Sequence, residues 1–470
     1  MKICLSKHRK VGRVTPCAPC GSLVADDGAH GVTRPTTAFD SKKQQATPGG
    51  PWRLGLMLLV GLTAPFLSAT EPKKLDRPFL ESELILPLEH LHNHGSCIVQ
   101  CPNGDLLVCW YRGSGERWSD DVAVMGARKR QRDRQWSVPF VLADTPGYPD
   151  TNPAMFIDPK KRLWLIWPTI LDNQWESALL KYRISSNYQK AGAPKWETSD
   201  ILHVTPGTNF PALVNAGLDQ LVAGPAPEMK PDEFAQWIQK NRTRLKEKLN
   251  CRLGWMTRVH PYVLDGQRLI LPLYSDGFDF CLMAISDNWG QSWFTSAPLV
   301  SLVNSQPSLI QKKNGTLVAY MRDDGPPPQR IPISESTDRG ETWSPVVDSD
   351  RPDSGAGVEI LALRSGRWLL INNDLEEGRH RLAVTLSDDE GKTWKWKRYL
   401  ERDSEADVKA GAGMYHYPSI IQAKDGTIHA SYSFRQKRTE TKLDAAGRPA
   451  NEAIKHAHFN EAWVMQGDQR

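Results

Sequence analysis

Several things are scarce in this 470-residue chain, and each scarcity narrows its function. Charge of one sign is scarce: 59 Lys and Arg against 54 Asp and Glu leave a net charge of +5, too small for a nucleic-acid-binding domain of this length. The one basic block, "RKRQRDR" at 128–134, is interrupted by Asp133 and reads as a basic loop. No glycine-rich loop follows a strand and opens a helix, so nothing calls for a nucleotide, and no other cofactor is expected. Cysteine is sparse, eight in all. Cys4, Cys17 and Cys20 lie in the first 50 residues, where the C-x-x-C spacing of 17–20 has no second ligand pair beside it. The remaining five (97, 101, 109, 251, 281) are an odd number, so at least one thiol stays free.

Long hydrophobic runs are also missing, with one exception. Residues 1–50 are polar, rich in Pro and Gly and without periodicity, an unstructured leader or an over-extended start. Then "RLGLMLLVGLTAPFLSAT" sets Arg53 before an apolar run and small residues, the layout of a secretory signal over 51–70 with cleavage near Ala69. The run is short for a membrane span and contains Pro65. An exported protein without a permanent membrane anchor is expected, its folded body over 71–470.

Within that body the chain is abundant in short apolar runs broken by polar turns. "SCIVQCPNGDLLVCWY", "SLIQKKNGTLVAYMR", "EILALRSGRWLLINN" and "SIIQAKDGTIHASYSF" each read as a hairpin. One segment, "PDEFAQWIQKNRTRLKEKL" (231–249), has helical periodicity, with Phe234, Ile238, Leu245 and Leu249 on one side. A phrase repeats through the second half: "SDNWGQSW", "STDRGETW" and "SDDEGKTW" start at Ser286, Ser336 and Ser387, spaced by 50 and 51 residues. That period fits a four-stranded propeller blade. Degraded copies close at Trp136 and Trp196, and the wide gap before Trp293 holds the helical insertion. The count predicts an all-β, six-bladed propeller of four-stranded antiparallel blades with a short helical insertion, its last blade closed by the chain's end. Seven blades are the alternative.

The repeated phrase has a structural reading. Asn288, Asp338 and Asp389 accept hydrogen bonds from turn N–H groups. Gly290, Gly340 and Gly391 take positive φ, and Trp293, Trp343 and Trp394 fill space against the sheet.

S-x-D-x-G-x-[ST]-W at this spacing resembles the Asp-box of the sialidase (neuraminidase) superfamily, over residues 80–465. The resemblance implies a site in which three arginines hold a sugar carboxylate, a Tyr polarised by a Glu is the nucleophile, and an Asp is the acid/base. "HYPSI" puts Tyr417 in the nucleophile's place. "GTLVAYMRDDG" offers Arg322, and "EGRHRLAVTLSDDEGKTW" offers Arg379 with Arg381 as rival. "GERWSDDVAV" offers Asp121 or Asp120, with Arg117 and Glu116 nearby; Arg258 in "TRVHPYVL" is a further candidate for the carboxylate.

Two positions depart from the family. His94 in "HNHGSCIV" stands where an arginine is expected, and Gln306 in "QPSLIQ" where the polarising Glu is expected. A neutral amide cannot take a proton from a phenol of pKa about 10. His90, His92 and His94 alternate along one strand face, but no fourth ligand accompanies them and no metal is expected. The resemblance therefore implies an enzyme on acidic glycans. An exo-acting glycoside hydrolase leads, a uronate lyase with His94 or Tyr417 as base is the alternative, and a non-catalytic sugar-binding propeller is the third reading.

Overall fold

The computed structural model describes residues 77–468 except 226 and 228; the leader and signal expected over 1–70 lie outside them. Six antiparallel sheets, each four strands deep, form the blades of a β-propeller; in blade three the innermost position is shared by two short strands, Trp255–Met256 and Tyr262–Leu264. Blade one runs outward from His92–Gln100 through Leu106–Gly113 and Ala123–Lys129 to Phe140–Ala143. Blade four runs from Asn304–Gln311 through Leu317–Asp323 and Arg330–Ser336 to Val347–Pro352, and blade five spans Glu359–Arg402 in the same order. The inner strands are almost wholly buried, although each opens on polar residues, as in "HNHGS" and "NSQPS", before its apolar end.

Blade six departs from expectation. Its three inner strands are Met414–Gln422, Ile428–Arg435 and Glu452–Phe459, but its outermost strand is Leu80–Leu84, from the beginning of the folded body. Leu80 pairs with Phe459 and Leu84 with Lys455. The chain's end does not close the ring alone; the N-terminal strand supplies the fourth strand of the last blade and so ties the two ends of the folded body together.

The helical insertion is larger than periodicity implied. Two helices, Phe210–Ala223 and Pro231–Arg244, lie between blades two and three. Phe210, Val214, Leu218, Trp237 and Ile238 are buried in one cluster with Trp255, Phe278 and Phe280 of blade three. Leu249, expected on the buried side, is past the helix end and exposed. The first helix was missed because its apolar positions are diluted by small residues. Among the described residues no helix is long and apolar enough to cross a membrane, and Cys97, Cys101, Cys109, Cys251 and Cys281 are all unbridged.

The repeated phrase occupies the turn between third and fourth strands in blades three, four and five. Asp338 accepts from the N–H groups of Glu341 and Thr342, and Asn288 and Asp389 accept from Ser292 and Thr393. The Ser286, Ser336 and Ser387 hydroxyls accept from the glycine N–H at 2.8–2.9 Å. Gly290, Gly340 and Gly391 have φ of 83°, 90° and 81°. Positive φ is half the requirement. A Cβ on Gly290 would lie 2.7 Å from Trp164 of blade two, and one on Gly391 2.5 Å from the Tyr320 hydroxyl of blade four. Each box seats its turn on the second strand of the preceding blade, so it ties the turn and spaces neighbouring blades.

Two predictions come from this architecture. Asp338→Ala should lower unfolding stability by about 1 kcal/mol through lost turn hydrogen bonds, measured by urea titration, with ligand affinity unchanged. Glu83, on the ring-closing strand, is held at a pKa of about 2 against an ordinary 4.5: burial works against its charge, but hydrogen bonds from His456 and Lys129 outweigh burial. Its contribution is therefore full above pH 4.5 and lost as pH falls toward 2. Glu83→Gln should flatten the pH dependence of the melting temperature in that window.

Candidate functional site at the propeller mouth

The boxes and the first residues of the inner strands lie at opposite ends of the blades. In blade four Ser305 pairs with Arg322 at one end, and Leu317 with Ser336 at the other. At the box-free end the inner strands begin with a second, shorter repeat: Asn152-Pro153, Gln306-Pro307 and Tyr417-Pro418. Asn152, Gln306 and Tyr417 all have left-handed backbone, with φ of 41°, 51° and 53°. Gly95 in blade one, next to His94, has φ 64°. The ladder slips at this point in blades one, four and six. Left-handed geometry in non-glycine residues costs energy and persists where surrounding structure enforces it. The side chains of Asn152, Gln306, Tyr417 and His94 line one cavity.

Tyr417 is the centre of this array. It is 7 % exposed, and Arg322 donates a hydrogen bond from Nη1 to its hydroxyl at 2.7 Å. The Arg258, Arg379 and Arg322 guanidinium carbons lie 5.0, 5.3 and 5.9 Å from its ring centroid. The His94 ring meets it edge-on at 4.3 Å. Arg258, expected to grip a carboxylate, is buried beneath the ring. It donates to the Pro418 and Ser96 carbonyls and lines no cavity. Its charge is balanced from below by Glu359, which also pairs with His260 at 2.7 Å and accepts from the Ile420 N–H at 2.7 Å.

Two cavities meet at Tyr417, His94 and Glu116. One, about 310 Å³, is also lined by Asn152, Tyr274, Asp276, Gln306 and Arg322. The other, about 550 Å³, is lined by His92, Arg379, His416 and Arg435. Arg322 and Arg379 thus reach the same tyrosine from two cavities. Arg322 is ion-paired with Asp324; Arg379 donates to His416 and to the Gly355 carbonyl, both at 2.8 Å. Arg381 is not among the lining residues.

Gln306 is buried, with Oε1 unpartnered, and makes no hydrogen bond to Tyr417, whose hydroxyl accepts from Arg322. Gly357 separates it from the Tyr417 ring: a Cβ there would lie 2.9 Å from Gln306 Oε1 and 3.4 Å from Tyr417 Cδ1.

The histidines divide by environment. His94 is pushed well below its ordinary pKa by burial and by the neighbouring His416, His92 and arginines, so it is neutral, and its Nδ1 has no hydrogen-bond partner. For His92 burial is outweighed by hydrogen bonds to Glu116 and Glu452, which raise it to about 9. It is an imidazolium in the larger cavity, 5.0 Å from the His94 ring. His90, third in the strand pattern, pairs with Asp444.

The first-blade acids are placed apart. Asp121 is exposed and accepts from the Ser114 N–H and hydroxyl; Asp120 accepts from Asn173. Neither lines a cavity. Arg117 lies between Trp118 and Trp175 at the rim. Their neighbour Glu116 does line both cavities, accepting from Tyr111 and bonded to His92, each at 3.2 Å. Asn152, Tyr274 and Asp276 were missed at the level of sequence. The residue-Pro repeat could have found Asn152; nothing in the local pattern of "YSDGFDF" singles out the other two.

The family model of the BNR repeat-like domain matches residues 104–225 and 231–430. No curated protein sequence matches the chain. Among solved structures, a protein of unknown function from Dyadobacter fermentans aligns with a TM-score of 0.58 at 14% identity, over 81% of this chain and 98% of that one. The NanB sialidase of Streptococcus pneumoniae aligns at 0.56 and 13%, over 81% and 71%. The leech intramolecular trans-sialidase, complexed with 2,7-anhydro-Neu5Ac, aligns at 0.56 and 12%, over 82% and 71%. At these identities the likeness concerns the fold.

Glu359 gives this site its prediction. It compensates both Arg258 and His260, so Glu359→Gln should leave buried cations unpaired and cost roughly 3–5 kcal/mol, read by chemical denaturation. Tyr417 fluorescence quenching or near-ultraviolet dichroism should change with it, because the ring loses its fixed floor.

Proposed function

Since the chain belongs to the BNR repeat-like domain family and carries a sialidase-superfamily propeller, we propose that it is an exported enzyme that hydrolyses the glycosidic bond of a carboxylate-bearing sugar, with Tyr417 as nucleophile. The observation that carries this reading is Tyr417 itself. It is held in left-handed backbone at the mouth of the axis, with Arg322 on its oxygen and Arg258 and Arg379 against its ring.

Negative charge developing on the phenol oxygen meets a preorganised donor in a water-poor site. The proton has to leave by a route other than the missing Glu. Neutral His94, edge-on to the ring and with a free Nδ1, is the group that accepts it. The sugar carboxylate is received in the larger cavity, where the Arg379 guanidinium and the His92 imidazolium supply positive charge. Arg322 serves the tyrosine, its charge offset by Asp324, and is a weaker clamp than its position in sequence implied.

A second reading has its own support. A neutral histidine beside a tyrosine that lacks a carboxylate partner also suits removal of the C5 proton of a uronate, followed by elimination. The products separate the two. Incubation with sialosides and with uronate-containing oligosaccharides should release reducing sugar without ultraviolet absorbance; absorbance from an unsaturated uronate would establish elimination, and no product from either class would overturn both. Tyr417→Phe should lower kcat by at least about 100-fold, while Arg379→Ala should act mainly on KM, by tenfold or more for loss of a charged partner.

A further inference from the structure

The expected acid/base, Asp121 or Asp120, is engaged in loop hydrogen bonds at the surface, so a proton donor has to be sought among the carboxyls that face Tyr417. Four line the smaller cavity: Glu116, Asp276, Asp279 and Asp324. Three are committed. Glu116 is bonded to His92 and Tyr111. Asp324 is paired with Arg322 and accepts from the Ser305 hydroxyl at 2.7 Å. Asp279 accepts from Trp237 Nε1 at 3.0 Å and Lys240 Nζ at 2.9 Å. Asp276 makes no hydrogen bond and no ion pair with any described residue, though it is mostly enclosed.

We propose that Asp276 is the general acid of this site, donating its carboxyl proton to the leaving oxygen. The assignment rests on the reading of the cavity as a glycosidic-bond-cleaving site. The bond from the anomeric carbon to the leaving oxygen breaks as that carbon bonds to the Tyr417 oxygen. The released electron pair takes the proton of Asp276, and the phenol proton passes to His94. Water then attacks the anomeric carbon and gives one proton to the Asp276 carboxylate, while the tyrosyl oxygen leaves with its electron pair and recovers its proton from His94. Both acid and base end the cycle as they began.

The environment supports a protonated resting state. Burial and the neighbouring Asp324 raise the Asp276 pKa from 3.8 to about 7, against the pull of Arg322. The charged groups facing it from the packed elements are Asp324 and Arg322 of blade four, Asp279 of its own turn and Glu176 of blade two, a set with more negative than positive charge.

The helical insertion braces the turn that carries Asp276. Asp276 lies in the tight "SDGFD" turn after strand Arg268–Ser275. Arg244, at the end of the second helix, covers that turn: it lies 5.3 Å from the Phe278 ring, and its guanidinium would be 2.3 Å from a Cβ on Gly277. Trp237 and Lys240 of the same helix hold Asp279. The insertion thus fixes the wall that carries the acid, and directs Asp279 away from that task.

The test compares wild type with Asp276→Asn on two glycosides of one acidic sugar, a disaccharide with a sugar leaving group and a nitrophenyl glycoside whose phenol departs without protonation. Wild type should lose activity on the disaccharide as pH rises through about 7. Asp276→Asn should lose at least about 100-fold on the disaccharide, stay within a fewfold on the nitrophenyl glycoside, and lose the alkaline limb. Its melting temperature at pH 8 should not fall, because no hydrogen bond is removed. Equal losses on both substrates, or an unchanged alkaline limb, would overturn the assignment while leaving the hydrolytic reading in place. A wild type that cleaves neither sialosides nor uronosides would overturn the underlying reading, and the role of Asp276 with it.

Discussion

The seam between the first and last blades is the constraint on which the rest of this molecule depends. A ring of blades has no natural end, and an open ring would leave strand edges and apolar blade faces in water. Here Leu80–Leu84 pairs antiparallel with Glu452–Phe459 and completes blade six from the other end of the folded chain. The inner strands then lock across the gap: Gly95 donates to Ser433, Ser96 bonds Ser431, and Ile98 donates to Ser419. The functional site inherits this closure directly. His94 belongs to blade one and Tyr417 to blade six, and their 4.3 Å contact exists only because the seam is shut.

The propeller divides labour between its two ends by using different backbone devices. At one end the boxes satisfy turn N–H groups with short side chains and set glycine against the preceding blade, where a Cβ on Gly290 or Gly391 would collide. The outcome is spacing and rigidity. At the other end Asn152, Gln306 and Tyr417 hold left-handed backbone, against the extended conformation that a following proline favours. Such strain is affordable only on a rigid frame, so the stability built at the box end supports the costly geometry at the mouth.

Charge at the mouth is arranged in layers. Arg258 and Glu359 are buried charges of opposite sign under the tyrosine that offset each other through space, with Glu359 bonded to His260. Above it Arg322 and Asp324 face the smaller cavity, while Arg379 and protonated His92 face the larger one. Neutral His94 sits among these cations, which is why its own proton is displaced. One side of Tyr417 is therefore acidic and the other basic, an asymmetry suited to a substrate with a carboxylate at one end and a departing oxygen at the other.

By itself the sequence determined the six-bladed fold, because box spacing is a local, periodic property: Ser, Asp, Gly and Trp bond mainly to one another within eight residues. It also marked Tyr417, Arg322, Arg379 and His94 as candidates, since each stands at a strand end that the repeat makes countable. Only the tertiary structure decided what those residues face. Arg258 looked like one more arginine in "TRVHPYVL", yet the ring buries it under Tyr417; Asp121 looked like an acid in a first-blade loop, yet Ser114 claims it. The closing strand, the first insertion helix and the free carboxyl of Asp276 left no local trace. Their roles depend on partners one or more blades away, and no periodicity in a linear chain encodes which distant group will be left without a hydrogen bond.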